Sequence, residues 1–259
     1  ALDIEYVDKK HARKSHNPMI DTTNRNTDPE LMDDPNVPEA VLREVLEDIS
    51  RVNRMLNGNR ITVKAVDQLI RENPQQSYTI VDMGCGDGQM LREVAEFYHN
   101  KEVKVKLIGI DLSEKGIRIA QEVSQEYPEI QFLRQDILEL KAEVLQCDIL
   151  LCTLTMHHFS NTEITIFLDQ FVKLAKIGVV INDLQRSKTA YYLFKLFSII
   201  FIKTEIGRLD GLTSIKSGFK KAELLTFSKA IPNVYHSVQY KWAFRYLWLI
   251  RTNRPSVKK

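Results

Sequence analysis

Tyr78-Thr79-Ile80-Val81-Asp82-Met83-Gly84-Cys85-Gly86-Asp87-Gly88 decides the fold of this chain. An apolar run ends in an acid, glycines follow at alternating positions, and a helical pattern opens at once. That order predicts a buried parallel strand, a turn whose backbone approaches a ligand closely, and a helix N-terminus.

The ligand is argued from spacing and charge. A dinucleotide fingerprint reads G-x-G-x-x-G with a pyrophosphate at the helix N-terminus. Here Gly84, Gly86 and Gly88 give G-x-G-x-G, position 89 is Gln, and Asp82 and Asp87 flank the turn. Two carboxylates repel a pyrophosphate in a partly desolvated cleft. They attract a ligand that carries an amino group and a sulfonium and has no phosphate, as S-adenosylmethionine does. Two more apolar runs end in acids: Lys106-Leu107-Ile108-Gly109-Ile110-Asp111, and Gln131-Phe132-Leu133-Arg134-Gln135-Asp136 with Ile137 behind it. An acid after the second strand accepts from ribose hydroxyls. One after the third accepts from an adenine amino group while Ile137 packs on the ring. A lone strand-end Asp is usually a helix cap; three in succession argue for a nucleoside site.

VDMGCGDGQ, GIDLS and RQDIL together resemble the class I S-adenosylmethionine-dependent methyltransferases, over roughly residues 78–184. The resemblance implies a doubly wound, Rossmann-like α/β fold whose seven-stranded sheet is mostly parallel, with an antiparallel last strand. It implies that Gly84 and Gly86 cradle the amino-acid end of the cofactor, with Cys85 a small side chain in the turn. Asp82 then lies near the cofactor amino group, Asp111 holds the ribose and Asp136 faces the adenine, with Leu112, Ile137 and Thr153 also against the cofactor. S-adenosyl-L-homocysteine is the implied product. Glu30-Leu31-Met32-Asp33-Asp34, Asn53-Arg54, His157-His158-Phe159 and Ile181-Asn182-Asp183-Leu184 are similar to small-molecule methyltransferases found beside bacterial type III polyketide synthases, which implies a role in secondary metabolism.

Composition narrows the partners. The chain has 259 residues, 36 basic against 34 acidic side chains and net charge +2, enough for one α/β domain with terminal additions. A near-neutral balance without a basic stripe argues against nucleic acid. Cys85, Cys147 and Cys152 are too few for a disulfide framework or a zinc site, so no metal is expected and a reducing, cytoplasmic setting is. No signal peptide is evident at the N-terminus. The apolar run Tyr191–Ile202 is interrupted by Lys195 and too short to span a bilayer. It reads as a buried or pocket-lining helix, or as a membrane-surface contact suited to a lipophilic substrate, without stable insertion. A homodimer is left open.

Two parts are expected: an irregular segment and helical cap over 1–75, and a methyltransferase domain over 76–259 with a helical insertion at about 187–230. Apolar spacing predicts helices from Pro38 to Leu56, with Gly58 as the stop, and over about 61–72. Strands are predicted near 78–83, 105–110, 130–134, 147–152 and 177–182, with helices near 88–99, 114–126, 137–144 and 162–175 between them. Beyond these, helices over 187–203 and 220–229 flank a loop containing Gly207, Gly211 and Gly218, and strands 234–242 and 244–251 close the chain.

For the acceptor, His157 and His158 follow the fourth strand at the ligand-binding rim, and either serves as a general base for a hydroxyl, His158 being favoured. The alternative is a ring that orders the loop by bonding to backbone. Asp183 orients a histidine, binds a substrate hydroxyl, or caps the helix near Ser187. Arg186 and Tyr191 are candidate substrate contacts. Arg54 grips the cofactor carboxylate or an acidic substrate, or is a surface charge. The amine-methylating pattern Asn/Asp-Pro-Pro-Tyr/Phe is replaced by Thr153-Leu154-Thr155-Met156. The expected reaction is O-methylation of a small phenolic or polyketide-like acceptor. C-methylation of a quinone-type substrate and non-catalytic cofactor binding are the alternatives.

Overall fold

A computed structural model describes residues 20–140 and 145–252. Seven strands form one sheet in the order β3-β2-β1-β4-β5-β7-β6: β1 Ser77–Met83, β2 Lys104–Asp111, β3 Ile130–Arg134, β4 Cys147–Thr153, β5 Ala175–Leu184, β6 Tyr235–Lys241 and β7 Arg245–Arg251. The first five run parallel, and β7 inserts antiparallel between β5 and β6. The chain order reverses between β1 and β4, so their carboxyl ends open the crevice in which such sheets bind ligands.

Strand periodicity sorts the core into two layers. Val81, Met83, Leu150 and Trp248 face one side, packed under α5 (Asn161–Leu174) and α8 (Lys221–Lys229). Ile80, Leu107, Leu151 and Leu249 face the other, under α2 (Gly58–Glu72) and α3 (Gln89–Tyr98). A third cluster joins α1 (Glu39–Met55), through Val41, Val45 and Leu46, to Ile119 of α4 (Glu114–Val123) and to Ile206. It roofs the crevice.

Three local expectations are corrected. Gly58 does not stop the first cap helix; Asn57 does, at φ 54, and Gly58 opens α2. A Cβ on Gly58 would lie 2.7 Å from the Arg245 guanidinium, so a packing contact selects this glycine. The loop expected around Gly207 and Gly211 is helix α7 (Glu205–Ser217), capped by Thr204. Its glycines permit close approach: a Cβ on Gly211 would sit 2.2 Å from Phe194 of α6 (Lys188–Phe201). The helix expected over 137–144 is a single 3-10 turn at Ile137–Glu139, and 141–144 lie outside the described residues.

Of the segment expected to be irregular, residues 1–19 are outside the described part. From residue 20 onward it crosses the crevice and is tied down. Arg25 donates to the carbonyls of His157, Phe159 and Ser217 and stacks on Phe219. Asp210 accepts from the backbone N–H groups of Leu31 and Met32, and Lys115 donates to the carbonyls of Pro35 and Val37.

Candidate active site

The crevice encloses about 1320 Å³ and has two chemically distinct ends. At the first, Gly84, Gly86 and Gly88 adopt φ of 74, 54 and 75, the left-handed region that suits glycine. A Cβ on Gly84 would lie 2.2 Å from Thr155, so the turn packs directly on the loop after β4. Asp111 receives the N–H of Gly86 at 2.9 Å and of Ser113 at 2.8 Å, fixing the turn against β2. Asp82 is fully buried, faces the crevice, and its Oδ1 has no hydrogen-bond partner. Burial, and then the charge of Asp111, hold its carboxyl well above the ordinary range. A carboxylate so placed awaits a cationic donor.

Asp87 plays a different part from the one its sequence position suggests. It accepts from the N–H of Gln89 at the start of α3 and pairs with Arg92 at 3.1 Å. One backbone N–H of the helix N-terminus that would hold a pyrophosphate is therefore already bound to a carboxylate, and Asp82 and Asp111 both line the crevice beside it. Cys85, Leu112, Ile137 and Thr153 line the same space, and burial pushes the Cys85 thiol up, away from reactivity.

Asp136 and Arg54 do not join them. The Asp136 carboxylate accepts from Leu138 N–H at 2.8 Å, capping the 3-10 turn, and is absent from the crevice wall. Arg54 is exposed on the last turn of α1, while its neighbour Asn53 is buried and faces inward. Asn53 accepts from Arg245 at 2.7 Å. Arg245 is the buried cation that the sequence did not reveal: it lines the crevice, and its Nε and Nη1 have no partner. Burial lowers its pKa to about 10, against the pull of Asp183.

The other end is built around His157. The chain leaves β4 through Leu154, a bulky residue at φ 54, and enters a 3-10 turn, Met156–His158. His157 is buried, with Nδ1 2.7 Å from Asp183 Oδ1 and its N–H on Asp183 Oδ2 at 3.2 Å. Its Nε2 faces Glu30 Oε1 at 3.4 Å, an ion-pair distance without hydrogen-bond geometry. Burial alone would depress the ring's pKa, but Asp183 and Glu30 outweigh it and raise it to about 10. Glu30 is itself held below the ordinary range despite burial, by His158 and His157, and Ser214 donates to it.

His158 is the more open ring, with Nδ1 on Asp33 at 3.0 Å and Nε2 3.9 Å from Glu30. The pairing with Asp183 singles out His157 rather than the favoured His158. Asp183 does not cap the next helix; the Ser187 hydroxyl does. Glu30, His157 and His158 bring three ligand atoms within 4.8 Å of one another, a grouping the cysteine count gave no hint of. Each ring in it already faces carboxylates.

Arg186 and Tyr191 are not on the crevice wall. Arg186 is buried against Glu223 and the carbonyls of Thr22, Thr23 and Gly218, so it anchors the crossing segment. The phenylalanines and tryptophan on the crevice wall are Phe159, then Phe194, Phe197 and Phe201 of α6, and Trp242 and Phe244 from the β6–β7 turn, with Trp242 at the exposed mouth. Glu30 was visible in the sequence only as part of a short resemblance; no spacing brings it to His157.

Residues 80–178 match the family described as a methyltransferase domain. The chain carries a methyltransferase domain. The match spans β1 to the start of β5 and so contains the glycine turn, Asp111 and His157. No curated protein sequence matches the chain. Among solved structures, plantazolicin methyltransferase in complex with a monoazolic analogue and SAH is similar at TM-score 0.61 and 15% identity, covering 83% of this chain and 96% of that one. Magnesium protoporphyrin IX methyltransferase from Synechocystis PCC 6803 with bound SAH gives 0.53 and 17%, over 77% and 86%. Human N-acetylserotonin methyltransferase in complex with SAM gives 0.59 and 14%, over 84% and 57%. At these identities the likeness establishes the Rossmann-like methyltransferase fold.

Proposed function

We propose that this methyltransferase domain takes S-adenosylmethionine as cofactor and methylates a hydroxyl on a small, apolar acceptor of phenolic or polyketide-like character. One observation carries the reading: a buried histidine on the wall of the crevice that the glycine turn opens is held by a carboxylate on Nδ1, while its Nε2 has no hydrogen-bond partner and faces Glu30.

The cofactor end fits a cationic, phosphate-free nucleoside. The free oxygen of Asp82 matches an ammonium, and the unpartnered Nε and Nη1 of Arg245 match a carboxylate. Asp111 has lone pairs left for ribose hydroxyls, and Leu112 and Ile137 offer apolar walls to a base. When bound, the cofactor supplies an electrophilic methyl group on sulfur. This chain's task is to align the acceptor and take its proton.

His157 performs that task with Asp183 and Glu30. With Glu30 opposite, the ring holds its proton at neutral pH. An acceptor hydroxyl that reaches Nε2 displaces the Glu30 carboxylate from its 3.4 Å contact and so withdraws one of the two charges that raise the ring. The ring's pKa then falls towards its ordinary value, and Nε2 becomes able to accept the hydroxyl proton. Asp183 keeps Nδ1 protonated and the ring oriented throughout.

Incubation with S-adenosylmethionine and a panel of alkylated phenols, followed by mass spectrometry, tests this. An O-methyl product from wild type, lost in His157→Gln, is expected. Methyl attached to ring carbon, or undiminished turnover by His157→Gln, overturns the hydroxyl reading.

A further inference from the structure

Helix α6 buries the wrong residues. Its sequence, Lys188-Thr189-Ala190-Tyr191-Tyr192-Leu193-Phe194-Lys195-Leu196-Phe197-Ser198-Ile199-Ile200-Phe201, is strongly apolar, yet Ala190 and Ser198 are its two buried residues. Leu196, Ile199 and Ile200 are 64%, 62% and 72% exposed, and Tyr192 and Leu193 are exposed with them. At ~100° per residue these five fall on one stripe about 120° wide, opposite the face that carries Ala190, Phe194 and Phe197. Trp242, exposed at the β6–β7 turn, lines the same crevice mouth as Leu193, Leu196 and Ile200. A contiguous apolar surface of this kind marks an interaction site.

We infer that α6 and Trp242 form a docking face for an anionic lipid bilayer, from which a lipophilic acceptor enters the crevice. Charge argues for this occupant. No Asp or Glu occurs between Asp183 and Glu205, whereas Lys188, Lys195 and Lys203 do, and all three are exposed. Lys188 and Lys195 fall along one border of the stripe, where a helix lying in the interface keeps its cations at headgroup level. Anionic lipid attracts each such cation, and Tyr and Trp favour the same depth. Continuity argues for it too, because one set of side chains forms both the exposed face and the crevice lip. No helix among the described residues is long and apolar enough to cross a membrane, so the contact is one of surface docking. The inference rests on the proposed lipophilic acceptor only for its purpose, not for its geometry.

Vesicle flotation of the full chain tests it, with phosphatidylcholine alone and with roughly one-third phosphatidylglycerol. Wild type floats with the anionic vesicles, and raising the salt concentration weakens this as expected for exposed charges. Tyr192→Asp/Ile199→Asp and Lys188→Glu/Lys195→Glu, neither pair on the crevice wall, each cut partitioning at least tenfold. S-adenosylhomocysteine affinity by calorimetry stays unchanged in both. Failure of wild type to float, or equal flotation of both variants, overturns the inference. So does a wild-type dimer in solution that Tyr192→Asp/Ile199→Asp dissociates, since a second copy would then cover the face. Failure of wild type to bind S-adenosylhomocysteine would sink the methyltransferase reading and leave the flotation result standing.

Discussion

The two ends of the crevice are built by opposite means. At the cofactor end the chemistry comes from consecutive residues at the carboxyl ends of neighbouring strands, Asp82 to Gly86 and Asp111 to Ser113, and its geometry is set by the sheet. At the acceptor end Glu30, His157 and Asp183 arrive from three remote segments, and the charge states of the histidine and the two carboxylates are coupled. The first end is a local motif, read from short runs of consecutive residues. The second is a buried ionic network that exists only when the crossing segment is in place.

The sharpest way to break this contrast is to remove the hub of the network. His157→Gln should lower kcat by roughly 10²–10⁴-fold, the usual value of a general base, while leaving S-adenosylhomocysteine affinity within about twofold. A parallel loss of cofactor affinity would show that the two ends are one unit.

Asp82→Asn tests the other end. Losing a charge-assisted hydrogen bond should weaken S-adenosylmethionine binding by about 1.5–3 kcal/mol, read by calorimetry. The cofactor-free protein should melt higher, because a buried carboxyl whose ionised form is opposed by burial and by Asp111 has been replaced by a neutral amide. Weaker binding with a lower melting temperature would mean that Asp82 is already satisfied.

The network should also be visible in the pH dependence of stability. His157 is raised to about 10 in the folded protein, above its ordinary 6.5, so its contribution is fully present below about pH 6.5. It is lost as pH rises towards 10, on the order of a few kcal/mol in all. Glu30 and Asp183 are lowered, so their contribution is present above the ordinary carboxylate range and lost in acid. Chemical denaturation across pH should therefore fall off on both sides, and His157→Gln should flatten the alkaline side. Glu30→Gln removes one of the two carboxylates that raise the ring. It should shift the rising limb of kcat/KM to lower pH, whereas a limb that stays put would detach Glu30 from His157.

The smallest effect belongs to Arg54→Ala. Its side chain is exposed and off the crevice wall, so stability should change by less than about 0.5 kcal/mol and KM for the cofactor by less than twofold. A larger change would return Arg54 to the cofactor and leave Arg245 without its proposed partner.

The cofactor end was legible because its signal is local. Three apolar runs ending in Asp82, Asp111 and Asp136 marked three strands and the turn, although the Asp136 carboxylate accepts from Leu138 N–H and lies off the crevice wall. Arg54 and Asn53 show where such reading stops: adjacent on one helix, they differ in burial, and the charged residue is the one outside. Gly207 and Gly211 misled for a related reason. Glycine marks a loop in sequence, but here it marks a helix pressed against Phe194.

What the sequence determined by itself was the alternating strand–helix order, the glycine turn and the sign of charge at the strand ends, since each depends on residues within a few positions of one another. Only the tertiary structure decided that Asp183 serves His157, that Glu30 closes over it, and that Arg245 rather than Arg54 is the buried cation. Those pairings join residues 26 to 192 positions apart, and burial, which no local pattern encodes, gives them their charge states.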